Sequence, residues 1–164
     1  MAMESKTGSS SWLRWLLIGW FVAGTIDIVY ATGFSYLRSG VAPERILKYV
    51  ASGALGPEAL NGGAGTALAG LGFHYLNAFL FAIFFFAVAG KIRPLIEKPL
   101  LMGAIYGVGI YVVMNYVVVP LSRIGPRPTP PTIVWTTGLL IHMFGIGVPI
   151  ALACLLYTSP SPRD

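Results

Sequence analysis

Charged residues are scarce in this chain. Lys and Arg contribute 11 residues and Asp and Glu only 6, so charged residues make up 10% of the 164 positions, against about 25% in soluble domains. Cysteine is nearly absent, and Cys154 alone supports no disulfide, thiol or metal site. A nucleophile elbow, a P-loop and an HExxH pattern are also missing. The sequence therefore predicts no catalytic residue, no metal ligand and no enzyme activity.

Apolar residues, by contrast, make up 55% of the chain and are concentrated in four long stretches. Each stretch has roughly the 20 residues that a transmembrane helix requires. The first one is too long for a signal peptide and is followed by no A-x-A-like cleavage site. We therefore predict an all-α fold, a polytopic membrane four-helix bundle over residues 12–153 that contacts the lipid bilayer. The predicted spans are 15–37, 66–90, 100–121 and 133–153.

The net charge of +5 does not indicate a nucleic-acid-binding protein. The basic residues are spread over every loop and form no dense run with interleaved aromatic residues. Basic residues that flank membrane helices meet lipid headgroups, which explains the charge without nucleic acid. Each side of the membrane receives five of them. The short basic link at 91–99 and Arg14 favour an N-terminus in the cytoplasm.

The links between the four stretches differ in character. Pro43 and Glu44 begin a short amphipathic helix in the first link, which we expect to lie in the membrane interface, and a re-entrant loop is the alternative. The second link is short, which predicts that the second and third helices are antiparallel neighbours. The third link is rich in proline and predicts a stiff, extended segment. Its prolines are Pro126, Pro128, Pro130 and Pro131.

The two ends of the chain differ from the middle. Residues 1–11 are polar and rich in serine, so we expect them to be disordered. The last eleven residues, CLLYTSPSPRD, back-translate into a DNA string that resembles the transposon-end adapter of sequencing libraries. We therefore expect residues 154–164 to be foreign to the native chain, which would end near Ala153 within or just after its fourth helix.

Each apolar stretch carries a polar residue at a depth where lipid disfavours it. Asp27 is the strongest signal, because a carboxylate near the middle of a span costs at least about 2.5–3.5 kcal/mol. Counted along the helices at about 1.5 Å per residue, these polar residues fall in one half of the membrane, within a slab of about 6 Å. The sequence thus predicts one intramembrane polar cluster. Its members are Asp27, His74, Asn77, Asn115 and His142.

Small residues share the helix faces that carry this cluster. Gly103 and Gly107 form a GxxxG pair, and Gly138 and Gly145 lie on the same face of the fourth stretch as His142. Small residues let membrane helices approach closely. We predict that these four glycines form the helix-packing surfaces of the bundle.

Three interpretations of the polar cluster remain open. In the first, it is structural and holds the bundle together through interhelical hydrogen bonds of roughly 0.6 kcal/mol each. In the second, Asp27 with His74 or His142 carries protons or binds a small polar solute. In the third, the two histidines ligate haem or a metal, although no spacing motif supports it, and we predict no cofactor. A bundle this small has little room for a solute path, which favours a homo-oligomer or a membrane partner.

Several segments resemble a group of small bacterial inner-membrane proteins that have four spans and no assigned activity. These segments are GTIDIVYA, ILKYVASGALG, GGAGTALAGLGFHYLNAF, MNYVVVPLS and HMFGIGVPIALA. The resemblance covers about Gly24 to Ala153, and the layout of the second half is remotely similar to YagU-type inner-membrane proteins. It implies a four-span fold in a bacterial inner membrane with a cytoplasmic C-terminus. It implies no chemistry.

Overall fold

A computed structural model describes residues 7–158 of the chain, and this part is helical with no strand. Four helices in it are long and apolar enough to cross a membrane, so the predicted all-α membrane bundle is confirmed. We number the helices in chain order. They are α1 (Thr7–Ser39), α2 (Pro43–Leu55), α3 (Ala64–Ala89), α4 (Arg93–Glu97), α5 (Pro99–Leu121) and α6 (Thr132–Thr158).

Both ends of the described part of the chain are helical. Helix α1 already begins at Thr7, so residues 7–11 of the segment expected to be disordered are helical, and residues 1–6 lie outside the described residues. At the other end, residues 154–158 continue α6 with Cys154 buried, and residues 159–164 lie outside the described residues. The foreign origin of residues 154–164 stays a prediction.

Helix α1 is the centre of the bundle, because it packs against both α3 and α6, and α6 in turn packs against α5. The largest fully buried side chains are Leu16, Phe85 and Ile150, which lie in this interior. The short link between α3 and α5 predicts that these helices are close neighbours. In the structure they are not closely packed. They meet at Tyr106, whose hydroxyl donates to the Phe81 carbonyl at 2.7 Å.

Helices α5 and α6 each contain a π-helical segment, Met114–Val118 and Ile141–Gly147. A proline follows each segment closely, Pro120 in α5 and Pro149 in α6. A proline inside a helix lacks the N–H for the carbonyl four residues earlier and its ring collides with that carbonyl. A wider turn before the proline relieves the collision, and such π-segments are frequent at functional sites. The two segments contain Asn115 and His142.

The predicted short helix of the first link is α2, and it packs on α3. Gly70 of α3 makes the contact possible, because a Cβ there would overlap the Leu47 carbonyl oxygen. Ala51 and Ser52 are buried in the contact, whereas the Glu44 carboxylate lies 2.6 Å from the Lys48 ammonium on the outer side. Helix α2 therefore packs against the side of the bundle.

The proline-rich third link runs back over the end of α2. The Arg123 amide donates to the Gly53 carbonyl at 2.9 Å. The Arg123 guanidinium lies directly over Gly56, whose φ of 95° is a conformation that glycine adopts without strain. Its positive charge also faces the negative end of the α2 dipole. These contacts fix α2 and the link together on one side of the bundle.

Candidate intramembrane site

A cavity of about 680 Å³ lies in the half of the bundle next to α2 and the proline-rich link. Its walls come from α1, α3, α5 and α6, with α2 and the link closing the outer side. The cavity brings together all five residues of the predicted polar cluster. The five are Asp27, His74, Asn77, Asn115 and His142.

The centre of the site is the contact between His74 of α3 and Asp27 of α1. The His74 Nε2 atom lies 2.8 Å from the Gly24 carbonyl oxygen, and its Nδ1 atom lies 4.0 Å from Asp27 Oδ2. The side chains of His74 and Asp27 are 12% and 22% exposed. Gly24 and Asp27 lie about one helical turn apart on α1, so one imidazole reaches both.

These two distances determine where the protons of the pair sit. A carbonyl oxygen only accepts hydrogen bonds, so His74 Nε2 carries a hydrogen and donates it to Gly24. In a neutral imidazole the other nitrogen is then a bare acceptor. Nδ1 therefore turns a lone pair towards the Asp27 carboxyl, which is also an acceptor when ionised. The 4.0 Å separation is too long for a direct hydrogen bond and leaves a gap between them.

Neighbouring contacts hold α1 and α3 in this register. The Trp20 indole N–H donates to the Tyr75 carbonyl at 2.7 Å, and the Thr25 hydroxyl lies 2.8 Å from the Tyr75 hydroxyl. Gly24 lets α3 approach, because a Cβ there would lie 2.9 Å from the Tyr75 ring. The residues that flank Asp27 and His74 are thus fixed by hydrogen bonds on the same face.

Asn115 connects α5 to the proline-rich link. Its amide donates to the Tyr111 carbonyl at 2.9 Å, one turn earlier in α5, and its oxygen accepts a 3.2 Å hydrogen bond from the Arg127 guanidinium. The same guanidinium lies 5.7 Å from the centre of the Tyr49 ring of α2. Arg127 therefore bridges the outer ends of α2 and α5 at the rim of the cavity. The Tyr49 hydroxyl is buried there without a hydrogen-bond partner among the described residues.

His142 and Asn77 complete the lining. The His142 Nδ1 atom donates to the Gly138 carbonyl at 2.8 Å, which leaves Nε2 as an acceptor when the ring is neutral. The Tyr111 ring packs edge-on against the imidazole, with the ring centres 5.2 Å apart. Asn77 lies one turn after His74 on α3 and lines the cavity without a hydrogen bond to another described residue. Both residues thus offer polar atoms to the cavity.

The predicted packing glycines lie where α5 and α6 cross and beside α1. A Cβ on Gly103 would lie 2.8 Å from the Gly147 carbonyl oxygen, and a Cβ on Gly107 would overlap the His142 carbonyl. Gly145 meets Ile26 of α1, where a Cβ would lie 2.7 Å from Ile26 Cγ2, and Gly138 faces the Tyr111 ring. The crossing of α5 and α6 is therefore a backbone-to-backbone contact at the level of His142.

The haem and metal interpretation depends on what surrounds the histidine nitrogens. Both nitrogens of His74 face protein groups, the Gly24 carbonyl and the Asp27 carboxyl. Within residues 7–158, no group of three or more His, Cys, Asp and Glu side chains could hold a metal ion.

Comparison with known proteins adds no name to this site. No family model, curated protein or solved structure matches the chain. The chemistry of the cavity itself is therefore the basis for assigning a function.

Several residues of the site were not predicted from the sequence. The Tyr30 hydroxyl donates to Thr137 at 2.6 Å and joins α1 to α6, yet tyrosine and threonine in a span carry no distinctive pattern. Tyr49 and Arg127 lie in the links, outside the apolar stretches in which a polar residue stands out. Gly147 follows Gly145 in the fourth stretch, and its spacing to Gly103 is visible only in the folded bundle.

Proposed function

We propose that this integral membrane protein binds a small solute in its intramembrane cavity and exchanges a proton at Asp27 and His74. One observation supports this above all others: two proton-binding side chains face each other across a gap in a cavity that residues of all four spans line. We place the protein in a bacterial inner membrane, as its resemblance to small four-span proteins implies. We propose binding and proton exchange without catalysis.

The size and lining of the cavity fit this role. Sites for small molecules have volumes of about 300–1,000 Å³, are mostly apolar and carry a few oriented polar groups. The cavity of about 680 Å³ matches this description, with Asp27, His74, Asn77 and His142 as its polar groups. Ionisable residues inside spans are costly and rare, and they mark solute and proton pathways in many membrane proteins.

A proton moves between two acceptors in this scheme. With Nε2 of His74 fixed on the Gly24 carbonyl, a proton arriving at the site binds Nδ1 or the Asp27 carboxyl. Either location neutralises the carboxylate or pairs it with an imidazolium. A solute that supplies its own donor to the gap replaces the proton.

The proposal is tested on the purified protein in detergent, in weak buffer that contains a pH-sensitive dye. A panel of small cationic, neutral and anionic aromatic solutes is added, and proton uptake or release is followed for the original chain and for Asp27→Asn. We expect at least one solute to bind with proton movement only when Asp27 is present. Glu58→Gln, which removes an exposed carboxylate from the first link, is the matched control and should behave like the original chain.

The proposal is wrong if proton movement is the same with and without Asp27 for every solute in the panel. In that case the structural interpretation of the cluster would be preferred, and Asp27→Asn would alter only the stability of the bundle. Unfolding by denaturing detergent measures that stability separately.

A further inference from the structure

The gap between Asp27 and His74 favours one chemical class of ligand. Its two ends are the Nδ1 lone pair of His74 and the Asp27 carboxylate, which lie 4.0 Å apart. Two acceptors that face each other repel, and only a hydrogen-bond donor placed between them makes both contacts favourable. The group that replaces the proton must therefore be a donor, and a positive charge strengthens its bond to the carboxylate.

We propose that the solute is a protonated amine with at least two N–H groups on an apolar, aromatic-sized body. This inference rests on the proposed function and names its substrate class. An amine nitrogen about 2.9 Å from each acceptor, the usual N–H···O distance, spans the 4.0 Å gap with an angle of about 87° at the nitrogen. That angle lies near the tetrahedral angle between two N–H bonds of an ammonium group, so both hydrogen bonds are close to linear.

The rest of the cavity accommodates the apolar body of such an amine. Aromatic rings from five helices line it, including Tyr30 of α1, Tyr111 of α5 and Trp135 of α6. Aromatic faces attract organic cations, and the attraction is stronger where water is excluded. Among the described residues that line the cavity, the only other full charge is that of Arg127, which Asn115 and the Tyr49 ring hold at the rim.

Charge balance links amine binding to proton release. When the empty pair holds a proton, an ammonium ion that enters the gap replaces it, and the proton leaves to the solvent. In that exchange the net charge of the cavity is unchanged, and one proton is released for each amine bound. Affinity should therefore rise with pH while the amine stays protonated. The remaining titratable or charged groups on the lining are Tyr30, Tyr49, Tyr111, Tyr116, Arg127 and His142.

The test compares phenethylamine with its N,N,N-trimethyl quaternary analogue, which keeps the charge and the ring but has no N–H. Dissociation constants are measured by calorimetry on the purified protein in detergent, with Glu58→Gln as the control for a lost carboxylate outside the cavity. Loss of the donors should weaken binding by about tenfold or more, because hydrogen bonds to charged groups are strong. Asp27→Asn should weaken phenethylamine binding by a similar factor, and Glu58→Gln should leave it unchanged. Proton release is followed in weak buffer.

Each outcome decides a separate point. If the quaternary ion binds the original chain as tightly as phenethylamine, the N–H-bearing class is wrong. If phenylacetate or phenethyl alcohol binds instead, with a proton change that depends on Asp27, the amine class fails and the proposed function stands. If no probe binds in a way that depends on Asp27 or on His74→Gln, both fail. Asp27→Asn suffices should His74→Gln not fold, because it removes the negative charge and replaces one carboxylate oxygen with an NH2 donor.

Discussion

The contact between α5 and α6 leads to a quantitative prediction at Gly107. In Gly107→Ala the new Cβ would overlap the His142 carbonyl and would lie 2.6 Å from Met143 Cα, whereas carbon atoms rest about 3.5–4.0 Å apart. The obstructing atoms belong to the backbone of α6, so a rotamer change cannot relieve the overlap and the helices must separate. Overpacking of this kind costs about 1–3 kcal/mol, and a backbone obstacle places the cost in the upper part of that range.

Gly109→Ala is the matched control for this prediction. Gly109 lies two residues further along the same helix and has no atom within 4 Å of its would-be Cβ. Alanine favours a helix over glycine by about 1 kcal/mol in water, and this preference is common to both variants. The difference between them therefore isolates the helix crossing.

The free energy of unfolding of both variants is measured by equilibrium unfolding in mixed micelles with increasing amounts of denaturing detergent. We expect Gly107→Ala to be less stable than Gly109→Ala by about 2–3 kcal/mol, which corresponds to a melting temperature lower by roughly 4–12 °C for a chain of this length. Equal stabilities, within about 0.5 kcal/mol, would show that α5 and α6 do not cross at Gly107.

Three further variants test other contacts. Tyr106→Phe removes the hydroxyl that donates to the Phe81 carbonyl and should lower the free energy of unfolding by roughly 0.6 kcal/mol in the same assay. An unchanged stability would contradict the α3–α5 contact. Gly56→Ala should cost on the order of 1–3 kcal/mol, because its backbone conformation is suited to glycine alone, and a neutral effect would refute that conformation. Arg127→Gln should speed amide hydrogen exchange across residues 122–131 by releasing the link from Asn115, and unchanged exchange would contradict the bridge.

The spans could be predicted from the sequence because apolar length is a direct physical requirement of the bilayer. The grouping of Asp27, His74 and His142 around one cavity follows from the same reasoning, since helices of known rise carry residues to countable depths. The cost of each polar residue in lipid also indicated that it faces the interior. Local rules of this kind need no knowledge of which helices touch.

The remaining features depend on tertiary contacts. The pairing of His74 Nε2 with the Gly24 carbonyl depends on the rotation of α3 against α1, which no local pattern specifies. The short second link predicted that α3 and α5 would be close neighbours, but α1 and α6 fill the interior and leave Tyr106 as the contact. The role of Arg127 was hidden because the proline-rich link folds back over α2 only in the assembled bundle.

The protonation of His74 is the most direct measure of the proposed site. Nitrogen NMR of the protein labelled in its histidines, with His74→Gln used to assign the signal, distinguishes the two ring nitrogens. The geometry predicts that the neutral imidazole carries its hydrogen on Nε2, because the Gly24 carbonyl accepts it, and that the bare Nδ1 faces Asp27. A neutral His74 with its hydrogen on Nδ1 and a bare Nε2 would contradict the account.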